Sequence, residues 1–177
     1  MKFRVLFAFS LISLCLCAPK PYVKGEGDPC KSIEVTEDAF GKVTRSKAIF
    51  QGMGYYGVSL YETESKCYMQ MLFSVPGLTS TVCPTGTPGK VGLVDGTIID
   101  LKTYKDTEPT RRGNSQTVYT IYLMEYELDA ATLEKLSNSP IKAVQATINN
   151  QDLQLELEPG EGYELQEAAD CLYQSAK

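Results

Sequence analysis

Apolar residues recur at every second position through most of this chain, and at every third or fourth position only near its end. Cys67, Met69, Met71, Phe73 and Val75 share one face, against Lys66, Tyr68, Gln70 and Ser74 on the other. Period two over that length predicts a half-buried antiparallel strand. Lys31 to Thr36, with Ile33 and Val35 in alternation, predicts an earlier strand, as does Val43 to Phe50. Tyr56, Val58 and Leu60 alternate with Gly57, Ser59 and Tyr61. Lys90 to Val94 and Thr97 to Tyr104 flank Asp95-Gly96, a strong short hairpin signal. Gln116 to Leu128 is apolar on both sides: Val118, Tyr122, Met124, Tyr126 and Leu128 point one way, and Tyr119, Ile121 and Leu123 the other. Such a strand is expected mid-sheet with both faces covered.

The period changes after Leu128. Asp129 is a candidate N-cap, and Leu133 and Leu136 place a short helix over Ala130 to Ser137. Pro140 restarts the chain, Ile141 to Ile148 predicts a strand, and Asn149-Asn150 turns it. Leu153, Leu155 and Leu157 alternate with Gln154, Glu156 and Glu158, and Pro159-Gly160 ends that strand. Glu161 to Tyr173 forms a final helix with Leu165, Ala168, Ala169 and Leu172 on one face. The expected class is α+β, mostly β: an antiparallel sheet or small sandwich with two short C-terminal helices separated by a β-hairpin.

The N-terminus changes the picture of where the domain works. Lys2 and Arg4 precede an apolar run, Val5 to Leu16, too short to span a bilayer and followed at once by Pro19, Lys20 and Pro21. Residues 1–17 are expected to be a signal peptide, residues 18–27 a flexible linker, and residues 28–177 one β-rich domain of sufficient length for a real core. The expected location is secreted or periplasmic. Acylation of Cys17 or Cys15 is the competing reading, disfavoured because Leu16 or Leu14 stands where a lipoprotein signal wants a small residue. No transmembrane segment is expected after the leader. The chain has net charge −5, and loss of Lys2 and Arg4 takes it to about −7. An acidic domain without a basic tract is a poor partner for nucleic acid. Arg111-Arg112 sits in a loop composition and is expected to be a solvated tip.

Four cysteines follow the leader: Cys30, Cys67, Cys83 and Cys171. An even count in an exported chain predicts two disulfides, with three connectivities open. Cys67–Cys83 is favoured because one lies in a strand and the other just past the next turn, which leaves Cys30–Cys171 to tie the ends together. Loop entropy assigns about 3 kcal/mol to the short loop and about 5 kcal/mol to the long one. The absence of a C-x-x-C spacing and of any histidine argues against zinc.

The chain contains no histidine and no tryptophan. Serine-histidine-acid and cysteine-histidine catalysis are therefore excluded. Ser46 and Lys47 are adjacent and so face opposite sides of a strand, which removes them as a dyad. Paired carboxylates remain the best enzymatic option. Asp100 interrupts an apolar strand, but simple alternation turns it to water. Glu156, Glu158, Glu161 and Glu164 form an acidic stretch without a calcium-loop pattern, and solvated carboxylates are the expected outcome. Tyr55, Tyr56, Tyr61, Tyr119, Tyr122 and Tyr126 cluster in strands. Tyrosine suits an interface and equally an ordinary sheet face. Gly52, Gly54 and Gly57 have no strand-to-helix context for a phosphate loop and mark a turn or bulge.

The stretch from Tyr126 to Leu157, "YELDAATLEKLSNSPIKAVQATINNQDLQLEL", with Cys171 and Leu172 at the close, resembles the end of small exported β-rich proteins of unknown function from Bacteroides-like bacteria. "GKVGLVDGTIIDL" resembles that group's hairpin, and "DPC…EVTEDAFGKVTRS" its opening. Val144-Gln145 departs from the group, which carries a basic residue after the equivalent of Pro140. The resemblance implies one domain in a bacterial cell envelope and brings no catalytic residues.

These features together give an exported envelope or periplasmic protein, non-catalytic, without cofactor or metal, that binds or serves as a structural component, with a protein or glycan as ligand. The alternative is a carboxylate-dependent hydrolase acting on glycans. A third reading is a subunit or inhibitor with one protein partner. A flat tyrosine-rich patch would favour the binder, and two carboxylates converging in a cleft the hydrolase.

Overall fold

The computed structural model describes residues 28–52, 55–113 and 118–175. The leader, the candidate acylation site at Cys17, and the linker lie outside the described residues. The described chain is mostly β, with two helices near its C-terminal end.

A 3-10 turn, Pro29–Ser32, precedes β1 (Glu34–Glu37) and β2 (Val43–Gln51). The turn replaces the start of the strand expected from Lys31, because the Asp28 carboxylate accepts the Cys30 N–H at 2.9 Å and caps it. Next come β3 (Tyr56–Thr63), β4 (Lys66–Pro76), β5 (Pro88–Leu93) and β6 (Ile98–Lys102). They are followed by β7 (Thr110–Gly113), β8 (Val118–Leu128) and helix α1 (Ala130–Asn138). The chain closes with β9 (Ile141–Ile148), β10 (Gln151–Glu156) and helix α2 (Pro159–Ser175). Two antiparallel sheets result. One runs β1-β2-β3-β4-β8-β7 and the other β10-β9-β5-β6. Arg111 and Arg112, expected in a loop, pair with Thr120 and Tyr119 as an edge strand.

Turn chemistry sets the hairpins. Asn149 and Asn150 both adopt positive φ, as do Glu64 and Ser65 between β3 and β4. Two such residues in succession match the right-handed twist of the flanking strands. Asp95-Gly96 turns the chain as expected, with only Gly96 at positive φ and Leu93 N–H bonded to Thr97 O at 2.9 Å. Asp129 caps α1 by accepting the Thr132 N–H at 2.7 Å, a contact worth about 1 kcal/mol.

The two sheets share one core. Met69, Met71, Phe73, Tyr122, Met124 and Tyr126 from the large sheet meet Val91, Leu101, Val144 and Ala146 from the small one. Gly89 lets them approach: a Cβ there would lie 2.6 Å from the Tyr126 ring. Helix α2 covers the inner side of β2 and β3, where Lys47 pairs with Glu164 at 2.6 Å and Gln51 donates to Glu161 at 2.6 Å. Leu165, Ala168, Ala169 and Leu172 of α2 are buried in the same core.

The structure bonds Cys30 to Cys171, with Cα atoms 5.0 Å apart and a sequence separation of 141. The chain-entropy model gives that closure about 5 kcal/mol. The expected Cys67–Cys83 bridge is not formed, and both residues are buried free thiols. Cys67 lies near the start of β4 opposite Leu128, whereas Cys83 lies beyond the end of that strand and is fixed by paired backbone bonds to Thr107 at 3.1 and 2.8 Å. Burial pushes the Cys67 thiol up to about 11 and raises that of Cys83 as well.

Two outcomes are expected. Alkylation of the unreduced domain from residue 18 onward labels neither Cys67 nor Cys83 rapidly in the native state and labels both after unfolding in urea, counted by intact mass. Gly89→Ala destabilises by about 1–3 kcal/mol in urea titration, because the added methyl meets the Tyr126 ring.

Candidate functional site

Strand pairing assigns every residue of the large sheet to a face, because residues directly opposite each other in antiparallel strands share one. One outer row holds Phe50, Gly57, Leu72 and Leu123. The next holds Ala48, Ser59, Gln70 and Glu125, and the one beyond it Ser46, Tyr61, Tyr68 and Glu127. Ser74 and Ile121 extend the face the other way, and Tyr119 with Tyr55 ends it, their ring centres 4.7 Å apart. Both helices and the small sheet lie on the opposite side. Among the described residues no element packs on this face, so the expectation that β8 is covered on both sides is not met. Leu123 is 40% exposed and Phe50 61%. Gly57 gives the Phe50 ring its seat: a Cβ there would lie 2.6 Å from Phe50 Cδ1.

The most developed chemistry on this face surrounds Glu125, which is only 8% exposed. Gln70 Nε2 donates to Glu125 Oε1 at 2.9 Å. The Tyr104 hydroxyl donates to Oε2 at 2.8 Å, and the Lys105 ammonium reaches the same oxygen at 2.5 Å. The Tyr61 phenol lies on the neighbouring row of the same face, within reach of the Glu125 charge. Tyr104 and Lys105 arrive because the chain after β6 runs along the free edge of β8, with Thr103 bridging Tyr126 and Tyr104 N–H bonding Glu125 O at 3.3 Å. Three rings form a continuous wall: Tyr61 stacks on Tyr68 at 5.1 Å, and Tyr68 meets Tyr104 at 5.2 Å.

The electrostatics follow from this crowding. Burial pushes the Glu125 carboxyl up, but the bonds from Lys105, Tyr104 and Gln70 outweigh it and hold its pKa below the ordinary glutamate value. Burial and then the Glu125 charge raise the Tyr61 phenol. The bond to Glu125 raises the Lys105 ammonium. The site is an ionised carboxylate ringed by protonated donors. It is built to hold positive charge and hydrogen-bond donors.

The residues weighed from sequence are scattered. Tyr55, Tyr61 and Tyr119 lie on the outer face, while Tyr122 and Tyr126 are core. Tyr56 packs edge-on to Phe73. Asp100 is exposed on the small sheet opposite Lys90. Glu161 serves the N-terminus of α2, accepting the Glu158 N–H at 2.8 Å, and Glu164 is paired with Lys47. Ser46 and Lys47 face opposite sides, Lys47 toward α2. Among the described residues no group of three or more acids and cysteines is placed to hold a metal ion. Tyr68, Gln70, Tyr104, Lys105 and Glu125 were not singled out from sequence. Glu125, an acid between Met124 and Tyr126 in an apolar strand, carried the same signal as Asp100.

A second concavity, of about 510 Å³, opens at the ends of the β1–β2 and β3–β4 hairpins beside Phe40, which is 96% exposed. Its charges neutralise one another, Arg45 with Glu62 at 3.0 Å and Lys42 with Glu64 at 3.2 Å.

Glu125 has its pKa lowered by folding, so its stabilisation is complete above the unfolded glutamate pKa and is lost as pH falls through the folded one. Glu125→Gln is therefore expected to cost about 1–2 kcal/mol near pH 7, with the gap to wild type closing below about pH 4. Urea unfolding across that range measures it. Compared with known proteins, the chain matches no family model, no curated protein and no solved structure.

Proposed function

We propose that this chain is an exported, disulfide-braced binding domain that acts without catalysis and holds its ligand on the outer face of the six-stranded sheet. The observation that supports this is the contrast between the two outer faces. The small sheet presents Lys90, Asp100, Gln145, Asp152 and Gln154 to water, with Ile98 as an exposed apolar side chain at its margin. The large sheet presents Tyr55, Tyr61, Tyr104 and Tyr119 with Phe50, Leu72 and Leu123. A half-exposed aromatic face next to a buried charge is the composition of a recognition surface.

Export is supported by the pattern of residues 1–17 and by the Cys30–Cys171 bond, which persists in oxidising compartments. No described helix is long and apolar enough to cross a membrane. The resemblance to small envelope proteins agrees with a periplasmic or secreted site of action.

The glycan hydrolase is the weaker reading. A general acid must hold its proton at working pH. Glu125 is kept ionised by its own neighbours, and Glu127, two residues along the same face, is paired with Lys66 at 3.0 Å.

Screening wild type and a Phe50→Glu/Leu123→Glu variant against oligosaccharide and peptide panels tests the proposal. Ligands are expected that lose about tenfold or more in affinity in the variant at unchanged melting temperature, since two anchors of the face are charged. Ligands indifferent to this variant but weakened by Lys90→Glu would move the site to the small sheet. Turnover of any oligosaccharide would restore the hydrolase.

A further inference from the structure

Glu125 already holds a cation. Lys105 Nζ lies 2.5 Å from Glu125 Oε2 and 5.3 Å from the centre of the Tyr104 ring, the last of the three-ring wall. We propose that this pocket is the docking point for a lysine side chain of a basic protein partner, and that Lys105 fills it in the free chain as a displaceable stand-in. The inference rests on the reading of this face as the ligand face.

Charge dictates the class of occupant. A carboxylate this buried needs a counter-cation, so whatever replaces Lys105 must bring its own. A neutral sugar would leave Glu125 unpaired. An exchange of one ammonium for another leaves the balance intact, and the aromatic wall attracts either.

Geometry selects lysine over arginine. A guanidinium binds best as a fork across both carboxylate oxygens. Here Oε1 is taken by Gln70, and only Oε2 faces the cation. A compact ammonium fits that single point. Lys105 is suited to leave: its side chain is 51% exposed and solvates as it departs. Tyr104 keeps its own bonds to Glu125 and holds the loop.

A protein fits better than a small amine. The next row of the face, Phe50, Leu72 and Leu123, is apolar and offers area that an alkylammonium alone would not cover. The net charge of −5 favours approach by a basic surface.

The first probe is n-butylammonium chloride, the side-chain analogue, titrated into the full domain at constant ionic strength. Ring signals of isotope-labelled tyrosine report binding. Lys105→Met, which removes the stand-in and keeps its stem, is expected to bind on the order of tenfold more tightly than wild type. Butylguanidinium is expected to bind several-fold more weakly than butylammonium, and neutral butanol to give no saturable shift. Adding Glu125→Gln to Lys105→Met abolishes the effect. Tyr104→Leu, which leaves the carboxylate in place, weakens it several-fold and covers the case in which the glutamine variant does not fold. A lysine-rich peptide with apolar flanks is then expected to gain affinity over butylammonium and to lose that gain in Leu123→Glu.

Equal binding by wild type and Lys105→Met, or preference for guanidinium, would overturn the proposal. Binding of neutral oligosaccharides that survives Glu125→Gln would replace the lysine with a glycan. Concentration-dependent dimers of Lys105→Met in sedimentation would assign the cation to a second copy. Failure of butylammonium while other ligands still depend on Phe50 and Leu123 removes the lysine pocket and leaves the ligand face standing.

Discussion

The ladder between β4 and β8, running from Cys67 opposite Leu128 to Pro76 opposite Tyr119, sets nearly everything else in this molecule. Because side chains alternate along a strand, this single register sends Met69, Met71, Tyr126 and Met124 inward and Tyr68, Gln70, Glu125 and Leu123 outward. A slip of β8 by one residue against β4 would place Glu125 in the core and expose Met124 and Tyr126. The hydrophobic energy of the core therefore specifies the polar site on the other side. The large sheet is a plate with two faces whose contents are mutually determined.

Closure of the inner face is the second requirement, and it is met by two different means. The small sheet covers β4 and β8, and Gly89 makes room for the Tyr126 ring. Helix α2 covers β2 and β3, with its apolar stripe in the core and its Glu161 and Glu164 tied to Gln51 and Lys47. The Cys30–Cys171 bond fastens that helix to the start of the domain. It joins positions that the chain reaches last and first, so its effect on the unfolded ensemble is large for a single link. Cys67 and Cys83 belong to the core instead and behave as small apolar side chains.

Much of this was legible in the alternation itself. The long strands were evident because their apolar positions keep period two over many residues. The Asn149-Asn150 turn, the Asp129 cap and the final helix were evident because local chemistry decides them. Three features were not. The 3-10 turn at Pro29–Ser32 overrode a β-like pattern through one side-chain cap at Asp28. The edge strand at Thr110–Gly113 is polar because it lies at a margin, and a polar edge looks like a loop. The site was missed because its parts come from three separate segments. Tyr61 and Tyr68 are near in sequence, but Glu125 joins them only through the β4–β8 pairing, and Tyr104 and Lys105 only because the chain after β6 follows the β8 edge. Long-range pairing of that kind leaves no local spacing to read.

The apolar outer positions of β8 invited the expectation of a second covering layer, none is seen among the described residues, and Glu125 makes such a layer costly. An apolar layer laid over that carboxylate would bury an ionised group, which costs several kcal/mol unless a cation and donors are buried with it. The chain meets the demand locally with Gln70, Tyr104 and Lys105, and does so from the side. Leu123, Leu72 and Phe50 beside it are then left without a cover from the described fold. A single ionised residue in an apolar strand thus shapes the whole face: the side chains that satisfy it occupy one end, and among the described residues nothing lies over the apolar row at the other.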